Sequence, residues 1–230
     1  MNGDITEFGH PGEWSETENL LNILSEKYWY GLGNHDYANN SEDCGADLVY
    51  KNGCALRSLE KLEAHIKSKD NISNVDWISV DGYNDAVSST TAYGSLAYSF
   101  ELGGIRYIQL NNYASYEDDV DSNHWDVKVA SSESWLIEQM IDARKRGKAI
   151  ILNSHVADLS DSIKSYAKKY GANIRFAGHY HKLHGKHQYY DDFIFVGSPM
   201  YKTMMIAELD YLSKKMRIYK VKNNDIASRV

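Results

Sequence analysis

An α/β fold, with helices packed around a mixed β-sheet, is predicted by three observations on the 230-residue sequence. Apolar residues recur at helical spacing in several windows, and short apolar runs of strand length lie between them. The two kinds of segment alternate in the first and last thirds of the chain, around a β-rich middle. The composition, 43% hydrophobic and 25% charged, excludes wholesale disorder. No apolar run approaches the roughly 18 residues of a membrane span, and stretches such as Ala149-Ile150-Ile151-Leu152 are of core-strand length. With no repeat, low-complexity linker or charge block to divide it, the chain is expected to form one domain over residues 1–230.

The first helix is expected over residues 13–26, where Leu20, Leu21, Ile23 and Leu24 fall at helical spacing and Glu13, Glu16 and Glu18 suit the early turns. Tyr28-Trp29-Tyr30-Gly31-Leu32-Gly33 is too short for a helix, and an aromatic run ended by glycines predicts a buried strand entering a tight loop. A second helix is expected over 56–67. Between 89 and 112 the pattern predicts a hairpin broken at Gly103-Gly104. Residues 131–146 carry the strongest helix signal: a serine cap, Leu136/Met140 and Ile137/Ile141 four apart, a basic end, and Gly147 as the stop. A strand at 148–153, a helix opened by Ser160 and closed by Gly171, and a strand at 174–177 follow. Three further strands at 193–196, 204–209 and 216–221 complete the series.

Donor side chains stand just after the predicted strands: Gly3-Asp4, Gly33-Asn34-His35-Asp36, His155, and Gly178-His179-Tyr180-His181. In an open α/β sheet, ligands bind beyond the carboxyl ends of the strands, so these loops are expected to converge. A carboxylate, an amide and several imidazoles make an oxygen and nitrogen donor set suited to Mn, Fe, Zn or similar divalent ions.

Taken in order, these residues resemble the calcineurin-like metallophosphoesterase superfamily, whose motifs run D-x-H, G-D, G-N-H-D/E, a lone H and G-H-x-H; the last four stand here. The resemblance implies a metallophosphatase-like α/β sandwich around a mixed β-sheet, and hydrolysis of a phosphate monoester or diester by a metal-activated water. It also implies that Asp4 bridges two metals, that Asn34, His155 and His179 complete the shell of the second, and that His181 belongs to the first. His35 would be the proton donor to the leaving oxygen, with Asp36 holding its ring. The D-x-H motif is absent. Only Asp4 and His181 then remain of four protein ligands expected at the first metal, and one metal site is fully represented. The fold is expected to lack its first strand, as an N-terminally shortened form of a domain that carries a further βα unit. The alternative is a catalytically degraded binding or scaffold domain that retains one metal site.

A net charge of −7 opposes binding to the phosphate backbone of a long nucleic acid, and the expected partner is the phosphoester substrate that the resemblance implies. Cys44 and Cys54 read as members of one polar loop. A bond between them would stabilise by roughly 2.5–3 kcal/mol and fit a secreted protein, while two free thiols are the other reading. His10, His184 and His187 are expected in solvated loops, and His65 and His124 at the surface. Asn111 and Asn112 read as hairpin-turn residues, and Glu117-Asp118-Asp119-Val120-Asp121 as a solvated loop. Tyr37, Tyr113, Tyr116, Tyr180 and Tyr201 lie beside the predicted metal edge, where half-buried strand faces explain them as well as an aromatic rim does.

Overall fold

The computed structural model describes residues 1–24, 27–41, 44, 52–84, 87–122, 125–189, 193–210, 213, 215–223 and 225–229. Helix α1 (Pro11–Leu21) begins earlier and stops sooner than periodicity predicts, because Pro11 fixes its first turn and the Glu13 carboxylate accepts from the backbone N–H of His10. Its buried contacts are Trp14 and Leu21. Leu20, Ile23 and Leu24 are exposed, so the apolar stripe expected from them is not the packed face. Helix α2 (Gly53–Lys67) starts three residues before the expected 56–67, which places Cys54 inside its first turn.

Strands β1 (Ile72–Asn84) and β2 (Val87–Leu102) form a long antiparallel hairpin, and β3 (Ile105–Gln109) returns along β2 after the glycine turn. β1 escaped the periodicity reading because its register shifts between Ile72 and Asn74, and again between Val75 and Trp77, interrupting the two-residue alternation. Short β4 (Asp118–Asp119) and β5 (Trp125–Val129) precede α3 (Glu133–Lys145). The acidic stretch around β4 is therefore built into the sheet edge rather than free: Val120 is buried and Asp121 accepts from the Val127 N–H. Then come β6 (Ala149–Ser154), α4 (Asp161–Tyr170), β7 (Ile174–Ala177), β8 (His184–Lys186) and β9 (Ile194–Val196). As expected, the Ser160 hydroxyl caps α4 at the Ile163 N–H, and Gly171 ends it at φ 84°. The tail forms β10 (Thr203–Asp210), β11 (Lys215–Lys222) and β12 (Asp225–Arg229).

Among the described residues, the main sheet runs β4-β5-β2-β3-β6-β7-β9-β8, with β1 on β2. Pairs β3/β6, β6/β7 and β7/β9 are parallel and β2/β3 antiparallel, giving the expected mixed sheet. Alternation along the central strands separates two cores. Ile150 and Leu152 pack with Leu136, Met140 and Ile163 of α3 and α4, whereas Ile151 packs with Ile105, Phe176 and Ile218, under the small β10-β11-β12 sheet. A further core joins Trp14, the apolar face of α2 and the β2 residues Leu96, Tyr98 and Phe100.

Residues 28–33 do not form the expected strand. A single parallel bridge joins Gly31 to Asn2, and Leu32 takes its bonds from elsewhere: its N–H donates to the Asn111 side chain and its carbonyl accepts from Asn112 N–H. Asn111 and Asn112 are thus buried clamps on this segment, not hairpin-turn residues. His65 is buried instead of surface-exposed, packed against Tyr28 and Tyr30. His124 lies outside the described residues.

Candidate metal centre

The parallel strands β6 and β7 end side by side, and each delivers one imidazole at its carboxyl end: His155 after Ser154, and His179 after Ala177-Gly178. Opposite them, the 2–7 segment brings Asp4 and the Gly33-Asn34 turn brings Asn34. His155 Nε2 lies 2.9 Å from Asn34 Oδ1, 3.2 Å from Asp4 Oδ1 and 3.2 Å from His179 Nδ1, while His179 Nδ1 lies 3.0 Å from Asn34 Oδ1. His181 Nε2 stands 3.5 Å from the other Asp4 oxygen, Oδ2. The five sequence-predicted ligands therefore meet around one carboxylate, with Asp4 facing the His155 cluster through Oδ1 and His181 through Oδ2.

The backbone is built to allow this approach. Asp4 and His179 both adopt left-handed conformations, φ 53° and 59°, a strain tolerated where the surroundings over-determine it. A Cβ at Gly3 would stand 2.5 Å from His155 Nδ1, and one at Gly33 would stand 2.5 Å from the Asp4 nitrogen. Glycine is required at both positions for the loops to close on His155.

Donor chemistry tests whether a cation fits. His155 Nδ1 lies 2.6 Å from the Asn2 carbonyl, which only accepts, so Nδ1 carries the hydrogen and Nε2 of the neutral ring presents a bare lone pair. That lone pair faces Asn34 Oδ1 and Asp4 Oδ1, two further acceptors. Lone pairs converging at 2.9–3.2 Å repel one another unless a proton on Nε2 or a metal ion lies between them. Donors bound at about 2.1 Å in octahedral geometry are about 3.0 Å apart, so the spacing fits a divalent ion.

Residues 1–183 of this 230-residue chain match the calcineurin-like phosphoesterase family. The chain belongs to that family. Members usually bind divalent metals, and membership supports phosphoester hydrolysis as the general activity. No curated protein matches the chain. No helix among the described residues is long and apolar enough to cross a membrane.

Burial pushes the Asp4 carboxyl up, but the hydrogen bond and charge of a His155 ring protonated at Nε2, followed by the His35 N–H, outweigh it and hold its pKa below the ordinary carboxylate value, a role that passes to a metal ion where the ring is neutral. Burial, then the neighbouring His155, lowers the His179 pKa, which favours the neutral, metal-binding form. Both effects suit a cation site.

One residue expected in the chemistry is placed differently. Asp36 does not hold the His35 ring. Its carboxylate is fully buried and accepts from the backbone N–H groups of Gly33, Ile5 and Thr6 and from the Thr6 hydroxyl, at 2.7–3.2 Å. Burial pushes its pKa up to about 6 despite those bonds. Asp36 is thus a brace between the two loops that carry Asp4 and Asn34. The group beside His35 is Glu7, whose Oε1 lies 3.1 Å from Nδ1. Sequence reasoning missed Glu7; the available signal was a carboxylate three residues after Asp4 in the same loop.

The aromatic residues divide between core and rim. Tyr37 is buried and meets Tyr116 edge-on, Tyr116 meets Tyr113, and Tyr180 packs between His179 and Phe195. His184 Nε2 lies 2.7 Å from the Met204 carbonyl, and the His187 ring meets Tyr189 at a tilt, so neither joins the cluster.

Proposed function

We propose that this chain hydrolyses a phosphate monoester or diester, with Asp4, Asn34, His155 and His179 holding a divalent cation such as Mn, Fe or Zn. The observation that carries the reading is the convergence of donor lone pairs at 2.9–3.2 Å with His155 Nδ1 tied to a carbonyl. When bound, the cation polarises the phosphoryl oxygens and lowers the pKa of the attacking water. Asp4 Oδ2 and His181 face a neighbouring position, where they would supply two of the four protein ligands expected for a second cation. His35 gives a proton from Nε2 to the leaving oxygen, while Glu7 accepts from Nδ1–H and fixes the ring's orientation. Asp36 acts indirectly, by holding the 5–6 backbone against Gly33.

Residues 1–230 form a single domain in this reading, since Ile218 of β11 packs under the strands that deliver His155 and His179. The Cys44–Cys54 disulfide fits an oxidising compartment. The test is turnover of an aryl phosphate and an aryl phosphodiester after EDTA treatment and after readdition of Mn2+. Hydrolysis that EDTA abolishes and Mn2+ restores is the expected result. Metal uptake with no turnover of either ester would instead mark a binding or scaffold domain.

A further inference from the structure

A second group of soft donors lies outside the candidate centre. His10, Cys44 and Cys54 come from three separate segments, and one ligand atom from each lies within 4.8 Å of the others. The cysteines are disulfide-bonded, with Cα atoms 5.5 Å apart and ten residues of sequence separation. Cys54 is buried in the first turn of the 15-residue helix α2, where the helix dipole favours a thiolate over a thiol. His10 is fixed as the N-cap of α1, its N–H bonded to Glu13 at 2.9 Å, with its ring exposed and stacked on Phe8. Neighbouring Gly9 leaves no room for slack, because a Cβ there would stand 2.9 Å from the Cys54 carbonyl. The imidazole is thereby placed beside the Cys54 sulfur by the starts of α1 and α2.

We propose that His10, Cys44 and Cys54 form a redox-gated site for one thiophilic divalent cation of the zinc class, occupied only when the disulfide is reduced. A dithiol supplies two electrons and two protons to the Cys44–Cys54 bond, closing its own disulfide and leaving two thiols. The cation then displaces both thiol protons to solvent and binds two thiolates and one imidazole, with water as the fourth ligand. Zinc bonds of about 2.3 Å to sulfur and 2.0–2.1 Å to nitrogen put tetrahedral donors about 3.5–3.8 Å apart. The present spacing reaches that with side-chain rotation once the sulfurs are no longer bonded. Oxidation removes both thiolates and so releases the ion.

The full chain, reduced and freed of reductant under anaerobic conditions, is titrated with Co2+ and then Zn2+. The Asp4 cluster contains no sulfur, so thiolate-to-cobalt charge-transfer absorption reports this site alone. One equivalent of that absorption in the reduced protein, absent from the oxidised protein and displaced by Zn2+, is expected. His10→Ala should weaken Co2+ binding by roughly 10-fold or more, given that even outer partners of a metal are worth about 10–100-fold. Iodoacetamide alkylation of the reduced wild-type chain should abolish the signal, without relying on the folding of a cysteine variant. No charge-transfer absorption, unfolding on reduction, or an unchanged affinity in His10→Ala would overturn the proposal.

Discussion

The two halves of the candidate centre are built by different means. His155 and His179 extend from the ends of adjacent parallel strands, whose ladder and flanking apolar cores fix them. Asp4, Glu7, Asn34 and His35 sit on segments joined by one isolated bridge, where buried polar side chains replace a sheet ladder. Asp36 collects three backbone N–H groups, and Asn111 bonds both Leu32 N–H and the Ser95 carbonyl. The difference teaches that rigidity at a site need not come from regular structure. It can come from a few saturated acceptors, but a single substitution then removes several bonds at once.

The sharpest separation of the two halves is chemical. His35→Ala is expected to keep the cation-binding set and cut turnover by about 10²–10⁴-fold, least for substrates with acidic leaving groups. A loss equal across a leaving-group series would remove His35 from the proton-donor role. Next in size is Asp36→Ala, which orphans the N–H groups of Gly33, Ile5 and Thr6. We expect a loss of about 3 kcal/mol or more, read by chemical denaturation. A loss below about 0.5 kcal/mol would show that the loops stand without the brace. Glu7→Gln should be milder: it keeps an acceptor near His35 Nδ1, so kcat falls by about tenfold with KM unchanged if the carboxylate orients the ring.

The effect smallest at neutral pH tests the loop half through its support rather than its chemistry. Burial, followed by the charge of Lys69, lowers the His65 pKa from 6.5 to about 3, with the ring packed on Tyr28 and Tyr30. The unfolded chain therefore binds more protons than the native one between these values. Stability from this neutral ring is fully present above pH 6.5 and is lost as pH falls towards about 3, with a limiting slope of about 1.4 kcal/mol per pH unit. His65→Phe should flatten that slope in denaturation curves recorded across the window, and an unchanged slope would assign it to other groups.

Much of the strand-borne half is legible in the sequence because its signals are local. β7 coincides with the expected 174–177, and α4 has the Ser160 and Gly171 ends that capping chemistry requires. The donor residues stand just past those strands, where a parallel sheet gathers them. The loop half is less legible because its bonds are distant in sequence. Asp36 is adjacent to His35 in the chain, yet its oxygens turn to residues 30 and 31 positions away, and Glu7 takes the place beside the ring. Leu20, Ile23 and Leu24 misled the reading of α1 for a related reason: helical spacing finds a stripe, but what lies opposite decides whether it is buried. β1 hid behind its register shifts, and His65 behind its polarity.

The central claim is that the lone pairs of Asp4, Asn34, His155 and His179 enclose a divalent cation. Anomalous diffraction from crystals soaked in Mn2+, collected on the wild type and on His155→Ala, tests it most directly. The account predicts a peak within bonding distance of all four side chains in the wild type and its loss or marked weakening in the variant. Manganese bound elsewhere, with these four side chains unligated, would contradict it.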